Sequence, residues 1–115
     1  MRIGRRPDER HNAVILDLFG KLVTEDDRAQ LLEAVQRDKV MDAILLQVEE
    51  LRDLNDQGAL TLRSLAQILT SQNKRLVFVR PRDRVLECLM KHSESFTKFE
   101  IVQNEPDAFK PREVI

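Results

Sequence analysis

Asn55-Asp56-Gln57-Gly58 is the segment whose residue types and placement bear most directly on chemistry. It follows an apolar, strand-like run from Ala43 to Val48 and opens a helix-like segment from Ala59 to Leu69. A strand that ends in a short loop at a helix N-terminus leaves unpaired backbone N–H groups and the positive end of the helix dipole where an anion can sit. Asp56 puts a permanent carboxylate there. Capping accounts for the same residues without any function. Asn and Asp are leading N-caps, worth about 1 kcal/mol over Ala, and the dipole favours a carboxylate in the first turn. Two hydroxyls, Thr61 and Ser64, follow on the helix. Either could accept a phosphate, and either is equally an ordinary exposed helix polar. With Leu62, Leu65, Ala66 and Leu69 on the core side, the helical period turns Leu60, Ser64 and Gln67 outward. A single exposed Leu is common, yet beside the loop Leu60 is a candidate docking contact.

Other chemistry finds little to stand on. Cys88 lies next to the apolar side of its helix and reads as a small core residue. His11 and His92 lack the Cys or carboxylate spacing of a metal site. There is no Gly-rich phosphate loop and no Ser–His–acid set that can be placed. The expectation is a non-enzyme with no cofactor and no metal. A net charge of −1 makes no case for nucleic acid as a partner. No apolar run approaches the ~20 residues of a membrane-spanning helix, and no signal peptide is expected. One cysteine permits no internal disulfide, which points to a reducing cytoplasm. The absence of Trp and Tyr disfavours an aromatic ligand pocket or base-stacking surface.

The elements that must position the loop alternate. Ala13–Phe19 reads as a strand, with Gly20 marking a bend or bulge near its end. Thr24 is a good N-cap, followed by Glu25, Asp26 and Asp27 in the first turn, and Leu31, Leu32 and Val35 give that helix its buried side. Ala43–Val48 and Leu76–Val79 are short apolar runs typical of covered central strands. Pro81 suits the first position of the next helix, for which Val85, Leu86 and Leu89 supply core contacts. Phe99–Val102 alternates like a last strand, and Pro106 is placed to start a short helix that Pro111 would stop. The 115 residues fit one domain, and the pattern predicts an α/β fold with one mixed sheet.

In order and spacing these features resemble the STAS domain of bacterial anti-sigma-factor antagonists, over roughly residues 13 to 109. Phe19-Gly20-Lys21-Leu22 is similar to the Gly-x-Leu that ends the family's second strand. Arg80-Pro81 with Val85 and Leu89 is similar to the Pro-x-x-x-Val-x-x-x-Leu of its third helix, and Phe99 to Phe109, with Ala108, to its closing strand and last helix. Family members carry Asp-Ser-Ser-Gly or Asp-Thr-x-Gly at the strand–helix junction. The first Ser or Thr after that Asp is phosphorylated by the anti-sigma-factor kinase that the domain binds. Here Asn55 replaces the Asp, Asp56 the phosphoacceptor and Gln57 the second Ser, while Gly58 is retained.

The resemblance implies a STAS-like single domain at 13–115, one mixed sheet with helices packed mainly on one face. Residues 1–12 carry Arg2, Arg5, Arg6 and Arg10 against Asp8 and Glu9, with Ile3 the only apolar residue beyond Met1. They are expected to be a basic arm or a frayed edge strand. The implied function is that of a protein-binding regulator whose partner is an anti-sigma factor, a kinase-type ATPase or another regulatory protein. The loop, Leu60 and Ser64 would form the contact, and phospho-switching at Asp56 would be lost or moved to Thr61 or Ser64. The alternative is an accessory or scaffold subunit of a stressosome-like assembly or of a lipid-transporter ATPase. A small-ligand or nucleotide-binding module is a third class, disfavoured because Asp56 already fills the anion position with charge.

Overall fold

Residues 1–91 and 100–109 are described by the computed structural model. Along them run β1 (Arg2–Asp8), β2 (Ala13–Leu22), α1 (Glu25–Arg37), β3 (Ala43–Gln47), β4 (Leu51–Leu54), α2 (Asp56–Ser71), β5 (Arg75–Val79), α3 (Asp83–Lys91) and β6 (Glu100–Val102). Short 3-10 turns at Glu9–His11 and Glu105–Phe109 join them. The strands form one sheet in the order β1-β2-β3-β5-β6, with β4 paired to the far end of β2. β1 is antiparallel to β2 and every other pairing is parallel, so the sheet is mixed.

The pleat divides the core in two. Val14, Leu16, Leu18, Ile44, Leu46, Leu76 and Phe78 point to the face where α1, α2 and α3 bring Leu31, Val35, Leu62, Leu65, Leu69, Val85 and Leu89. On the other face Ala13, Ile15, Ala43, Leu45, Val77 and Val79 form a smaller cluster that Ala108 completes. The central strands are thus covered twice, which is why they read as continuous apolar runs rather than alternating ones. The expected α/β architecture is present, with the helices on one face.

Several local expectations are corrected. On α1 the buried stripe is Leu31 and Val35, four residues apart, and Leu32 is 38% exposed because it sits a further 100° around the helix. On α3 the same geometry buries Val85 and Leu89 and leaves Leu86 37% exposed. That helix starts at Asp83 rather than Pro81, since Arg80 takes a left-handed φ of 51° immediately before the proline. β4 was not anticipated: its buried Leu51 and Leu54 are separated by Arg52 and Asp53, a spacing that shows no strand period. The Asn55 loop therefore follows β4, not β3. Phe99, His92 and Pro111 lie outside the described residues, and the observed last strand begins at Glu100.

Residues 2–8, expected to be a basic arm or frayed strand, pair with β2 along their whole length, from Arg2 opposite Phe19 to Asp8 opposite Ala13. Their arginines find specific partners. Arg5 grips the buried Asp38 at the end of α1 at 2.8–3.1 Å, Arg6 holds Asp17 at 2.7 Å, and Arg2 lies 4.7 Å from the centroid of the Phe19 ring. Charges that looked like a solvated arm are therefore the edge strand's anchors.

Thr24 and Asp27 close a reciprocal capping box at the start of α1. The Thr24 hydroxyl accepts from the Asp27 amide at 3.1 Å, and the Asp27 carboxylate accepts from the amides of Thr24 and Val23 at 3.0 and 3.2 Å. These N–H groups, Thr24's foremost, hold the Asp27 carboxyl well below the usual carboxylate range. Asp27→Asn is expected to cost about 1 kcal/mol in urea unfolding at neutral pH. A carboxylate depressed in the folded state stabilises fully above its unfolded pKa, about 3.9. The wild-type advantage should therefore shrink progressively as pH falls below about 4. A difference that does not change between pH 7 and pH 2 would refute the charge-based account.

Candidate functional site

The loop at the head of α2 is built by what lies beneath it. Gly20, with φ of 101°, sits at a register shift in β2, and its amide donates to the Glu50 carbonyl at 3.1 Å. This kink lets the last residues of β2 pair with β4, which delivers the chain to Asn55. Asn55 is the N-cap of α2: its Oδ1 accepts from the Gly58 amide at 2.8 Å. Its Nδ2 donates to the Val23 carbonyl at 2.9 Å, which ties the loop to the end of β2. An aspartate could cap, but it could not make that second bond.

Gly58 is buried for a different reason. A Cβ there would lie 2.4 Å from the Leu22 carbonyl oxygen and 2.7 Å from Leu54 Cδ1. The first turn of α2 thus rests directly on the end of β2, and only glycine permits the approach. Asn55 and Gly58 hold the loop: Gly58 is buried, whereas Asn55 is exposed with both ends of its amide engaged by the backbone.

What the loop does present is Asp56, Gln57, Leu60 and Ser64, all exposed. The Asp56 side chain, in the first turn of α2, is 69% exposed, and Lys91 Nζ of α3 is 3.9 Å from its Oδ1. Leu60 is 39% exposed on the outward side with Ser64. Thr61 is only partly exposed, and its hydroxyl donates back to the Gln57 carbonyl at 3.0 Å. Between the start of α2 and α3 lies an open cleft of about 560 Å³, lined by Leu54, Asn55 and Asp56 on one side and Arg84, Glu87, Cys88 and Lys91 on the other. The Cys88 thiol, half-buried, is 3.6 Å from the Leu54 carbonyl, and Arg84 is paired with Asp53 at 3.1 Å. Among the described residues no cluster of three or more His, Cys, Asp or Glu could hold a metal ion, and no helix is long and apolar enough to cross a membrane. His11 lies elsewhere, its Nδ1 2.9 Å from Asp8 and its ring stacked on Phe109 at 3.9 Å between centroids.

No family model and no curated protein matches this sequence. Solved structures do. The anti-sigma factor antagonist SpoIIAA in its unphosphorylated form superposes with a TM-score of 0.73 at 14% identity, over 94% of this chain and 93% of that one. A Ser-to-Glu variant of RsbS from Moorella thermoacetica gives 0.73 at 9% identity, covering 95% and 92%. A Shewanella loihica protein of a family named DUF3478, described as having a SpoIIAA-like fold, gives 0.61 at 18% identity, covering 94% and 90%. The fold is the SpoIIAA-like STAS fold.

Within that STAS fold, the structure gathers Asp56, Gln57, Leu60 and Ser64 on one exposed surface, with Asn55 exposed beside Asp56 and Gly58 buried beneath. Of the second wall of the cleft, Arg84, Glu87 and Lys91 were not among the residues singled out from sequence, and Cys88, expected as a core residue, is half-buried at the cleft. A signal was present: these four recur at spacings of three, one and three, on a single side of α3 next to its Val85–Leu89 core stripe. What the sequence did not show is that this side of α3 turns toward α2.

Proposed function

We propose that this STAS-fold chain is a non-enzymatic, cytoplasmic protein-binding regulator of the anti-sigma-factor-antagonist type, in which Asp56 replaces a switchable hydroxyl. The observation that carries the reading is the whole-chain likeness to an anti-sigma factor antagonist; an exposed carboxylate in the first turn of α2, which the sequence resemblance aligns with the phosphoacceptor, supports it. The contact surface is Asp56, Gln57, Leu60 and Ser64, framed by Asn55 and Gly58, and its partner is an anti-sigma factor or kinase-type ATPase. A permanent carboxylate differs from phosphoserine in both charge and shape: phosphate carries about −1.5 to −2 and three acceptor oxygens. Asp56 therefore holds the surface in a single electrostatic state, and partner choice replaces phosphorylation as the point of control.

Affinity purification from the native host tests the partner class. Recovery of an anti-sigma-type ATPase supports the reading, whereas recovery of a transporter ATPase or a large multi-copy assembly favours the accessory-subunit alternative. Incubation of the chain with that anti-sigma ATPase and ATP, followed by intact-mass measurement, is expected to show no added phosphate. The Thr61 hydroxyl is already bonded to the helix backbone and Ser64 lies two turns along α2 from Asp56, so neither occupies the acceptor position. A gain of one phosphate at Thr61 or Ser64 would show that the switch has moved along the helix and would overturn the single-state reading.

A further inference from the structure

We infer that residues 100–109 form a strap that opens as a unit from the second face of the sheet, latched by Arg6, Arg75 and Arg80, while the rest of the fold stays closed. This goes beyond the proposed function and does not rest on it. The strap begins with β6, which has only three ladder positions on β5. Within β6, Ile101 packs partly against the helix-side core and Val102 partly against the other face. Beyond β6 the strap crosses the helix-free face with one buried residue, Ala108, and a partly buried Phe109. Its apolar grip is small.

Three arginines from the body of the protein supply most of the polar contacts, with Gln47 Nε2 of β3 donating to Glu105 at 3.3 Å. Arg6 donates to both Glu105 oxygens, at 3.0 and 2.5 Å, while its Nε and Nη2 hold Asp17 of β2. Arg75 grips Glu100 at 3.0 and 2.6 Å and donates through Nη1 to the Ala108 carbonyl at 2.8 Å. Arg80 donates through Nε to the Gln103 carbonyl and through Nη2 to Asn104 Oδ1, at 3.0 and 2.8 Å, and its amide reaches the Val102 carbonyl at 2.8 Å. The stack of Phe109 on His11 pins the far end.

The character of these contacts is what makes the strap separable. The Arg6 and Arg75 side chains are 48% and 41% exposed, so their pairs with Glu105 and Glu100 are part-solvated and screened by salt. Arg80 instead bonds the strap through neutral oxygens and is ion-paired with Glu49 of the body. Arg80 makes its contacts from a left-handed φ of 51°, which is uncommon for a non-glycine residue. By contrast, α1, α2 and α3 are held by Leu31, Leu62, Leu65, Leu69 and Leu89, all buried. A segment with few buried apolar contacts and many exposed polar ones lies at the low end of local stability. Its opening would uncover the cluster of Ala13, Ile15, Ala43, Leu45, Val77 and Val79.

Native-state hydrogen exchange on the full chain at low denaturant tests this. The Arg80 amide, which donates to the Val102 carbonyl, and the amides of the β5–β6 ladder report strap opening; the β2 and β3 amides report the body. The strap amides are expected to open together, at least about tenfold more often than the body, with a shallower denaturant dependence. Raising salt from about 0.1 to 1 M, which shortens the screening length from about 10 to 3 Å, should accelerate the strap amides alone. Arg6→Ala should accelerate them further, by up to about fivefold, and because it also releases Asp17 it should loosen the β1–β2 edge as well. Glu105→Gln, which leaves the Arg6–Asp17 pair intact, should act in the same direction and serves if Arg6→Ala does not fold. Strap and body amides that share one rate and one denaturant slope would overturn the proposal. So would strap exchange that neither salt nor Glu105→Gln alters.

Discussion

Gly58→Ala is expected to lower the free energy of unfolding by about 2–3 kcal/mol, although alanine is the better helix former. Two effects oppose each other. Replacing a helical glycine by alanine is worth about 1 kcal/mol in an unobstructed first turn. Against this, the new methyl group would lie 2.4 Å from the Leu22 carbonyl oxygen and 2.7 Å from Leu54 Cδ1. The Leu54 methyl can rotate away, but the Leu22 carbonyl is backbone in the last residue of β2 and is held by the β4 ladder. Relief therefore requires the head of α2 to lift off β2. That lift also breaks the 2.8 Å bond between Asn55 Oδ1 and the Gly58 amide and the 2.9 Å bond from Asn55 to Val23. Overpacking at a backbone contact outweighs propensity. Urea unfolding of the two proteins measures the sum, and an alanine variant as stable as wild type would show that α2 docks more loosely than the geometry states. A lifted α2 also displaces Asp56 and Leu60, so partner affinity should fall with stability.

The contrast between Gly58 and its neighbours shows what sequence could and could not reveal. The central strands were legible because β2, β3 and β5 are buried on both faces and carry unbroken apolar runs. Thr24 and Asn55 were legible because N-caps act locally, within three residues. β4 was not, because a four-residue strand with polar Arg52 and Asp53 at its centre has no period to detect. The paired state of β1 was hidden for a related reason. Its stability rests on Asp38 and Asp17, 33 and 11 residues away from the arginines they hold, and composition alone gives such arginines the look of a solvated arm. Leu32 and Leu86 were misassigned because an apolar residue adjacent to a core stripe satisfies a helical period within its tolerance, and only the packed neighbour decides. At the site, the position of the loop and its charge were readable, since a strand–helix junction is a local event. The reason for Asn rather than Asp at 55 was not, because it depends on the carbonyl of Val23 across the fold. The same holds for Gly58, whose constraint is Leu22. Local chemistry reads from sequence, and contacts made at a distance do not.

Asp56→Ser is expected to weaken binding to the partner by about 1–3 kcal/mol, the range for losing a hydrogen bond between charged groups. Lys91 Nζ stands 3.9 Å away, with both side chains more than two-thirds exposed, and a pair so exposed contributes about 0–1 kcal/mol. The carboxylate thus faces solvent at the centre of the proposed contact surface, where the α2 dipole also stabilises it. A partner that docks on Gln57, Leu60 and Ser64 must cover it. Burying a carboxylate that is only loosely paired is unfavourable, and a partner Arg or Lys added beside Lys91 would offset that cost with a charge-assisted bond. Serine cannot satisfy that cation, and the complex loses both the bond and the charge match. Calorimetry of wild type and Asp56→Ser against the recovered ATPase, at low and high salt, reads the effect, and the difference between them should narrow as salt screens the pair. Tighter binding by Asp56→Ser would mean that the partner presents a surface suited to a neutral hydroxyl and that Asp56 is inhibitory. Equal affinity at both salt concentrations would place the contact elsewhere on the domain.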